Sequence, residues 1–263
     1  MTMLLQITDM HILRDYDAAF LGVATEHYFH SVLELALSQH PSSDLILLSG
    51  DLSQDPCSAG YKRILQRITA TQIPCVCLPG NHDDYELMQQ VFNTSLVSCR
   101  KQLLLSNWQL ISLNSQIPGS PKGQLSPQEL QFLEACLVAR PHHHALIAVH
   151  HHCVATQSAW LDTMIIENQQ DLWSLIARYP QVKVITTGHI HQEVDCIVNN
   201  VRVLGTPSTC FQFKPKSDEF SLDDSCSPGY RVITLKDDGT IDTRVTRIPE
   251  VLQGLQMDSQ GYG

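Results

Sequence analysis

The chain of 263 residues reads as an α/β fold on three observations. Short apolar runs of strand length alternate with stretches of helical periodicity; five of those runs end in blocks of Asp, Asn and His; and turn signals gather toward the C-terminal third. The blocks are Thr8-Asp9-Met10-His11, Gly50-Asp51, Gly80-Asn81-His82-Asp83, His150-His151-His152 and Gly188-His189-Ile190-His191. Donors collected at the ends of several strands are how an open α/β sheet builds a site in the crevice beyond its strand termini.

The elements follow in order. Leu4 to Ile7 is a strand that delivers Asp9 and His11. Thr25 is the expected N-cap of a helix that carries Tyr28, Phe29, Val32, Leu33 and Ala36 on one side and stops near His40-Pro41. Leu45 to Leu48 has the length and continuous apolarity of a buried strand and delivers Asp51. A helix over Ala59 to Thr69 precedes the strand Cys75 to Leu78, which leads into Gly80-Asn81-His82-Asp83. Leu103 to Leu105 and Gln109 to Leu113 are strands about a turn at Ser106-Asn107, and Ile117 to Gly123 is a loop rich in Pro and Gly. Ser126 as N-cap, Pro127 at the first helical position and Glu129 as the closing member of a capping box start the next helix, with Leu130, Leu133 and Leu137 as its buried stripe. Ala145 to Val149 then ends at His150, a helix covers Gln169 to Tyr179, and Val182 to Thr186 ends at Gly188-His189. Hairpins follow, with turns at Asn199-Asn200 and Asp238-Gly239. No linker divides the blocks, so a single domain over 1–249 with a polar, loosely ordered tail over 250–263 is expected.

A composition of 43% hydrophobic residues suffices for a sizeable core. The net charge of −10 argues against a nucleic-acid polymer as partner, because such binding rests on Lys and Arg displacing counterions from phosphates. Nine cysteines, an odd number, with Cys75 and Cys77 alternating as in a strand, speak against a disulfide framework and for reduced thiols. Residues Met3 to Ile7 are too few for a signal core or membrane span, and no later window approaches that length. A soluble, cytoplasmic protein without a membrane partner is expected; a homodimer stays open.

The residue types suit a particular chemistry. Two divalent ions about 3.5–4 Å apart activate water and stabilise the charge that develops during in-line attack on phosphorus. Such a site asks for a shared carboxylate, further oxygen donors, and imidazoles for borderline metals: iron or manganese, with zinc as the other choice. In an extended segment residues i and i+2 share a face, so Asp9 and His11 enter one cleft. Gly50 and Gly80 are expected to let the backbone turn so that Asp51 and Asn81 point inward.

In order and rough spacing, these blocks resemble the five motifs of the calcineurin-like metallophosphoesterase family. Gly50-Asp51-Leu52-Ser53-Gln54-Asp55, Leu78 to Asp83, Ser158-Ala159-Trp160-Leu161-Asp162 and Thr206 to Phe213 resemble its branch of bacterial 3′,5′-cyclic AMP phosphodiesterases, so that the likeness spans Leu4 to Arg247. The resemblance implies a four-layer α/β/β/α sandwich of two mixed sheets flanked by helices. It implies that Asp9, His11 and His191 hold one metal, that Asn81, His150 and His189 hold the other, and that Asp51 bridges them. His150 is chosen among three consecutive histidines because the family's ligand stands directly at the strand end; Cys153 departs from the proline that commonly follows. His82 corresponds to the family's catalytic histidine, which contacts the phosphate and protonates the leaving oxygen, and Asp55 is a candidate to orient it. His11, Asp51, Asn81, His82 and His191 would also contact the substrate. The implied reaction is cleavage of cyclic AMP to 5′-AMP by in-line attack of a metal-bridging hydroxide.

Plainer readings apply to other residues. His142 to His144 reads as a solvated loop, and His27, His30 and His40 as surface or packing residues. Cys75, Cys77, Cys136 and Cys196 read as small core side chains. Trp160 and Phe211 suit stacking on a base and packing on the core equally well. Two other functions stand beside the main one. A broader phosphodiesterase of the same fold would act on glycerophosphodiesters, nucleotide sugars or lipid pyrophosphates. A non-catalytic scaffold would be expected to lose ligands, and metal content tells it from an enzyme.

Overall fold

Strand Thr2–Ile7 shows how the layers arise. Side chains alternate across a strand, and here Leu5 and Ile7 enter an outer core against helices while Leu4 enters a second core between two sheets. The computed structural model describes residues 1–261; the last two residues of the expected tail, 262 and 263, lie outside the described residues. The first sheet runs Ile241–Arg247, Gly229–Leu235, Thr2–Ile7, Leu45–Ser49, Cys75–Leu78, Val97–Ser98 from edge to edge. Its strands from Thr2–Ile7 to Val97–Ser98 are parallel, and the two late strands add antiparallel. The second sheet runs Val194–Val198, Val201–Gly205, Val182–Thr187, His144–Val149, Trp108–Leu113, Gln102–Leu105, parallel in its centre and antiparallel at both edges.

The parallel strands are buried on both faces, which explains their continuous apolar sequences. Between the sheets, Leu4, Leu47 and Val76 meet Leu110, Leu146 and Val184. Outside the first sheet, helices Thr25–Gln39, Ser58–Thr69 and Tyr85–Val91 contribute Phe29, Val32, Tyr61, Ile64 and Met88. Outside the second, helices Pro127–Ala139 and Gln169–Ile176 contribute Leu133, Leu137, Leu172 and Ile176. The result is the four-layer sandwich of two mixed sheets. One polar residue crosses the inter-sheet core. Gln6, fully buried, donates to Ser49 Oγ at 2.9 Å and to the Thr187 carbonyl at 3.2 Å, and accepts from Thr206 Oγ1 at 2.8 Å. Its amide is satisfied on both sides, as a buried polar group must be, and it ties the two sheets together beside the strand ends that carry the donors.

Local expectations fail where a side chain has a tertiary partner. Thr25 is the first helical residue rather than the cap, which is Ala24; its hydroxyl donates instead to the His11 carbonyl at 2.9 Å. Ser126 caps as expected, accepting from Glu129 N at 3.2 Å, but Glu129 turns away to accept from Lys101 and from Asn114 N, so the capping box does not close. The stretch expected as a loop contains a small antiparallel hairpin, Gln116–Ile117 with Ser120–Gly123. Helix Tyr85–Val91, unforeseen from the sequence, begins at Asp84, whose carboxylate accepts from Leu87 N at 3.0 Å. In the segment after 250, Leu252 and Leu255 pack against the outer core of the first sheet, and Gln253 N donates to Tyr28 Oη at 2.8 Å. Among the described residues, no helix is long and apolar enough to cross a membrane.

Candidate metal centre

The parallel strands stop at Ile7, Ser49, Leu78, Val149 and Thr187, and the five donor blocks turn into one buried crevice between the sheets. Asp9 and His11 do not converge as alternate residues of an extended strand. Both take left-handed backbone angles, φ 53° and 46°, and so do Asp51 (50°), His189 (64°) and His191 (46°). Residues other than glycine enter this region rarely, and such strain concentrates at functional sites when the surroundings over-determine it. The surroundings here are hydrogen bonds between loops: Asp9 N to the Gly50 carbonyl and His11 N to the Asp51 carbonyl, each at 3.0 Å. Gly50 takes φ 99°, the turn foreseen for it. Gly80 has no such angle; it is needed for clearance, since a Cβ there would lie 2.1 Å from Asp51 Oδ1.

Six of the seven expected ligands come together in two groups, and one carboxylate links them through a third. Asp9, His11 and His191 form the first; Asp51, His150 and His189 form the second, with each group's donor atoms within 4.8 Å of one another. Asp51 is also grouped with His11 and His82, and so stands between the two. Asp51 Oδ2 lies 3.3 Å from His150 Nε2 and 3.8 Å from His11 Nε2, while Asp9 Oδ1 lies 3.3 Å from His191 Nε2. Of the three consecutive histidines, His150 enters the group, as chosen. His151 Nδ1 is engaged by Ser115 Oγ at 2.7 Å, and His152 stacks on His189 with centroids 5.7 Å apart.

Three imidazoles are oriented from behind. Nδ1 of His11 meets Gln54 Oε1, Nδ1 of His150 meets the Ser49 carbonyl and Nδ1 of His191 meets the Phe211 carbonyl, each at 2.8 Å. Acceptors at Nδ1 place the proton there and turn Nε2 inward as a lone-pair donor, the usual second layer of a metal site. Burial pushes the His11 imidazole down to about 3 and that of His189 well below the ordinary histidine range, so both are neutral, the form a metal requires. Burial alone would raise the Asp51 carboxyl, but the nearby His150 and His82 imidazoles hold it well below the usual carboxylate range. The reciprocal effect raises His150 to about 9 against its own burial.

The donor set fits two divalent ions. Asn81 Oδ1 and His189 Nε2 are buried without a hydrogen-bond partner in the protein, and orphaned buried acceptors cost enough that a ligand for them is the economical explanation. Asn81, His82, Asp51 and His189 also face an open cavity of about 460 Å³. Its apolar lining is Trp160, Met164, Phe213 and Phe220, and it adjoins the centre, since Phe213 stacks on His191 with centroids 4.2 Å apart. Trp160 is therefore a cavity residue. Phe211 is fully buried and stacks on His11 with centroids 5.9 Å apart, which is packing. Asp55 stands exposed on the loop after Leu45–Ser49.

Sequence reasoning did not single out Gln54, Ser115 or the two orienting carbonyls; Gln54 lay inside a segment that carried the resemblance, but nothing local marked its role. It also passed over Asp83. That buried carboxylate accepts from Gly80 N at 2.9 Å, from Leu52 N and Ser53 N at 3.1 Å and from Tyr61 Oη at 2.9 Å, knotting the Asp51 loop to the Asn81 loop.

Comparison with known proteins agrees with this geometry. A family model described as calcineurin-like phosphoesterase matches residues 2–193. The chain is 42% identical over 260 residues to a 3′,5′-cyclic adenosine monophosphate phosphodiesterase CpdA of Vibrio vulnificus, covering 98% of this chain and 94% of that protein. It is 39% identical, with the same coverage, to the protein of that name from Escherichia coli K12. It is also 38% identical over 244 residues to a 3′,5′-cyclic-nucleotide phosphodiesterase of Nostoc, covering 93% of this chain and 91% of that one. Among solved structures, a dimetal phosphatase from Danio rerio superposes with a TM-score of 0.60 at 13% identity, covering 97% of this chain and 99% of that chain. The chain belongs to the calcineurin-like metallophosphoesterase family.

Proposed function

We propose that the protein hydrolyses 3′,5′-cyclic AMP to 5′-AMP at a two-metal centre. The observation that carries this reading is the shared carboxylate: Asp51 stands between two donor groups at the wall of a cavity that has an aromatic end. The names of the relatives, similar over nearly the whole chain, support the substrate.

In this reading Asp9, His11 and His191 hold one ion, Asn81, His150 and His189 the other, and Asp51 both. The ions would be iron or manganese, with zinc as the other choice, since imidazole, carboxylate and amide donors suit all three. When bound, they supply Lewis-acid activation of water and neutralise charge on the phosphoryl oxygens. The protein's own residues do the rest. His11, Asn81 and His191 border the position of the phosphate and fix it for in-line attack. His82, half-buried at the cavity wall, donates a proton to the departing 3′ oxygen. Its backbone N–H donates to Asp51 Oδ1 at 3.0 Å, so the acid moves with the bridging carboxylate. Asp55 is the proposed partner that orients the His82 ring. The nine free cysteines accord with a cytoplasmic location.

The test is hydrolysis of 3′,5′-cyclic AMP against 2′,3′-cyclic AMP and bis(p-nitrophenyl) phosphate, by enzyme stripped of metal and reloaded with manganese or ferrous iron. A kcat/KM of roughly 10⁴ M⁻¹s⁻¹ or more on the 3′,5′ compound, above the other two, is expected of an enzyme on its own substrate. A much faster artificial diester would give the centre to another phosphodiester.

A further inference from the structure

The cavity is lined by two kinds of side chain. Asp51, Asn81, His82 and His189 of the candidate metal centre form its polar part; Trp160, Met164, Phe213 and Phe220 form its aromatic end, which adjoins the centre through Phe213 stacked on His191 at 4.2 Å, and Gln260 and Gly261 from the segment after 250 also line it. A volume of about 460 Å³ lies within the range of sites that enclose a small organic ligand, and exceeds what a cyclic phosphate alone would need. The aromatic end is held rigid. Trp160 meets Phe213 and Phe220 edge to face, with centroids 5.0 and 5.1 Å away. The turn that carries it is fastened by Asp162, whose carboxylate accepts from Thr156 N at 2.7 Å, Thr156 Oγ1 at 2.8 Å and Gln157 N at 3.1 Å.

The segment reaches the cavity by a defined route. Leu252 and Leu255 pack against the outer core of the first sheet, and Gln256 N donates to the Leu21 carbonyl at 3.0 Å. Between these anchors Gly254 crosses Gly22 so closely that a Cβ on Gly254 would lie 2.4 Å from the Gly22 carbonyl oxygen, and a Cβ on Gly22 would lie 2.0 Å from that of Gly254. Both take positive φ, 81° and 79°. The crossing therefore requires glycine on each side, and it sets the path that brings Gln260 and Gly261 to the cavity.

We propose that the aromatic end of the cavity is the site for the purine base of the substrate and that the segment 252–261 is one of its walls, so that discrimination for a nucleoside depends on this segment being docked. The proposal rests on the cyclic-nucleotide reading above. A base presents two π-faces that suit aromatic walls and an edge of hydrogen-bonding groups that a polar wall can meet, while the phosphate of the same molecule is fixed by the donor cluster that lines the same cavity.

Two substrates separate base binding from the chemistry: cyclic AMP, and the 3′,5′-cyclic phosphate of methyl riboside, which has the same scissile ring and no base. Two variants undock the wall: a chain ending at Glu250, and Gly254→Val, which leaves every apolar anchor in place while forbidding the crossing. The readout is the ratio of kcat/KM for the two substrates, with a thermal melt to show that each variant is folded. In the wild type the ratio favours cyclic AMP; in both variants it falls by about tenfold, the scale of one lost hydrogen-bonding contact from the wall, through a higher KM for cyclic AMP. If the shorter chain does not fold, Gly254→Val decides. A ratio unchanged in folded Gly254→Val, or equal losses on both substrates, overturns the proposal. A wild type that accepts both substrates equally overturns the base site while leaving the hydrolysis reading intact, and a wild type that cleaves neither overturns the hydrolysis reading itself.

Discussion

Asp9, His11 and His191 bring their inward donor atoms together in a fully enclosed cluster, whereas Asn81 and His189 present theirs at the wall of an open cavity. In the first group the two Nε2 atoms of His11 and His191 are 3.3 Å apart and Asp9 lies 3.3 Å from His191; Asp9 further accepts from His189 N at 3.1 Å. All three side chains are at most 1% exposed. In the second group Nε2 of His150 and of His189 are buried without a hydrogen-bond partner, as is Oδ1 of Asn81, which lines the same open cavity as Asp51 and His189. The first half of the centre is preorganised and closed; the second is incomplete without a ligand and open toward substrate. Inward lone pairs without a donor cost about 1–3 kcal/mol each, so both halves gain from filling, and what separates them is access: the first is enclosed, the second meets the cavity. The difference suits an arrangement in which one ion is resident and the other sits where the substrate arrives.

The residue that both halves share gives the largest expected effect. Asp51→Asn keeps an oxygen to accept from His82 N and keeps the volume, but removes the charge that both ions would share. A loss of activity on the order of 10³-fold, the scale seen when one electrostatic stabiliser is taken from an active site, is expected together with a fall in metal per chain measured by elemental analysis. Near-normal activity in this variant would end the idea of a shared carboxylate.

Asn81→Ala discriminates between the halves. It removes a donor of the second group and touches none of the first, so the purified variant should retain about one ion per chain and bind the other at least tenfold more weakly, an effect at the lower end of what altered metal surroundings cause. Stepwise chelation of the wild type, followed by metal analysis, should likewise release one ion well before the other. Loss of both ions together would erase the asymmetry.

What the sequence made legible was the part where local pattern and tertiary role coincide. An apolar run ending in Asp, His or Asn states both that a strand is buried and that its end is polar for a purpose, so the donor blocks and the alternating elements could be read directly. The turns at Asn199-Asn200 and Asp238-Gly239 were legible for a similar reason: Asn199, Asn200 and Gly239 take the positive φ that these residue types tolerate. The missed features are those where the partner is remote in sequence. Thr25 looks like a cap but serves the His11 carbonyl, Glu129 looks like half of a capping box but serves Asn114 N, and Gln54 gives no local sign that it orients His11. Backbone strain at five of the expected ligands was invisible as well, because Asp and His carry no mark of φ, and it is the interloop hydrogen bonds that impose it.

The smallest effect is expected where the two loops are knotted behind the centre. Burial, with Asp51 adding to it, pushes the Asp83 carboxyl up to about 7, and its hydrogen bonds oppose the rise. Tyr61 is fully buried; it donates to Asp83 and accepts from Asp84 N at 3.0 Å. Tyr61→Phe removes one hydrogen bond to that carboxyl and strands one backbone N–H, a cost of about 1.5–3 kcal/mol, or roughly 3–6 °C in Tm for a domain of this size. Three backbone N–H groups still grip Asp83, so the spacing of the Asp51 and Asn81 loops should survive, metal content should be unchanged and kcat should fall by less than tenfold. If the variant instead loses an ion at unchanged global stability, the hydroxyl holds the open half of the centre in place, and that half is less complete in itself than its donors suggest.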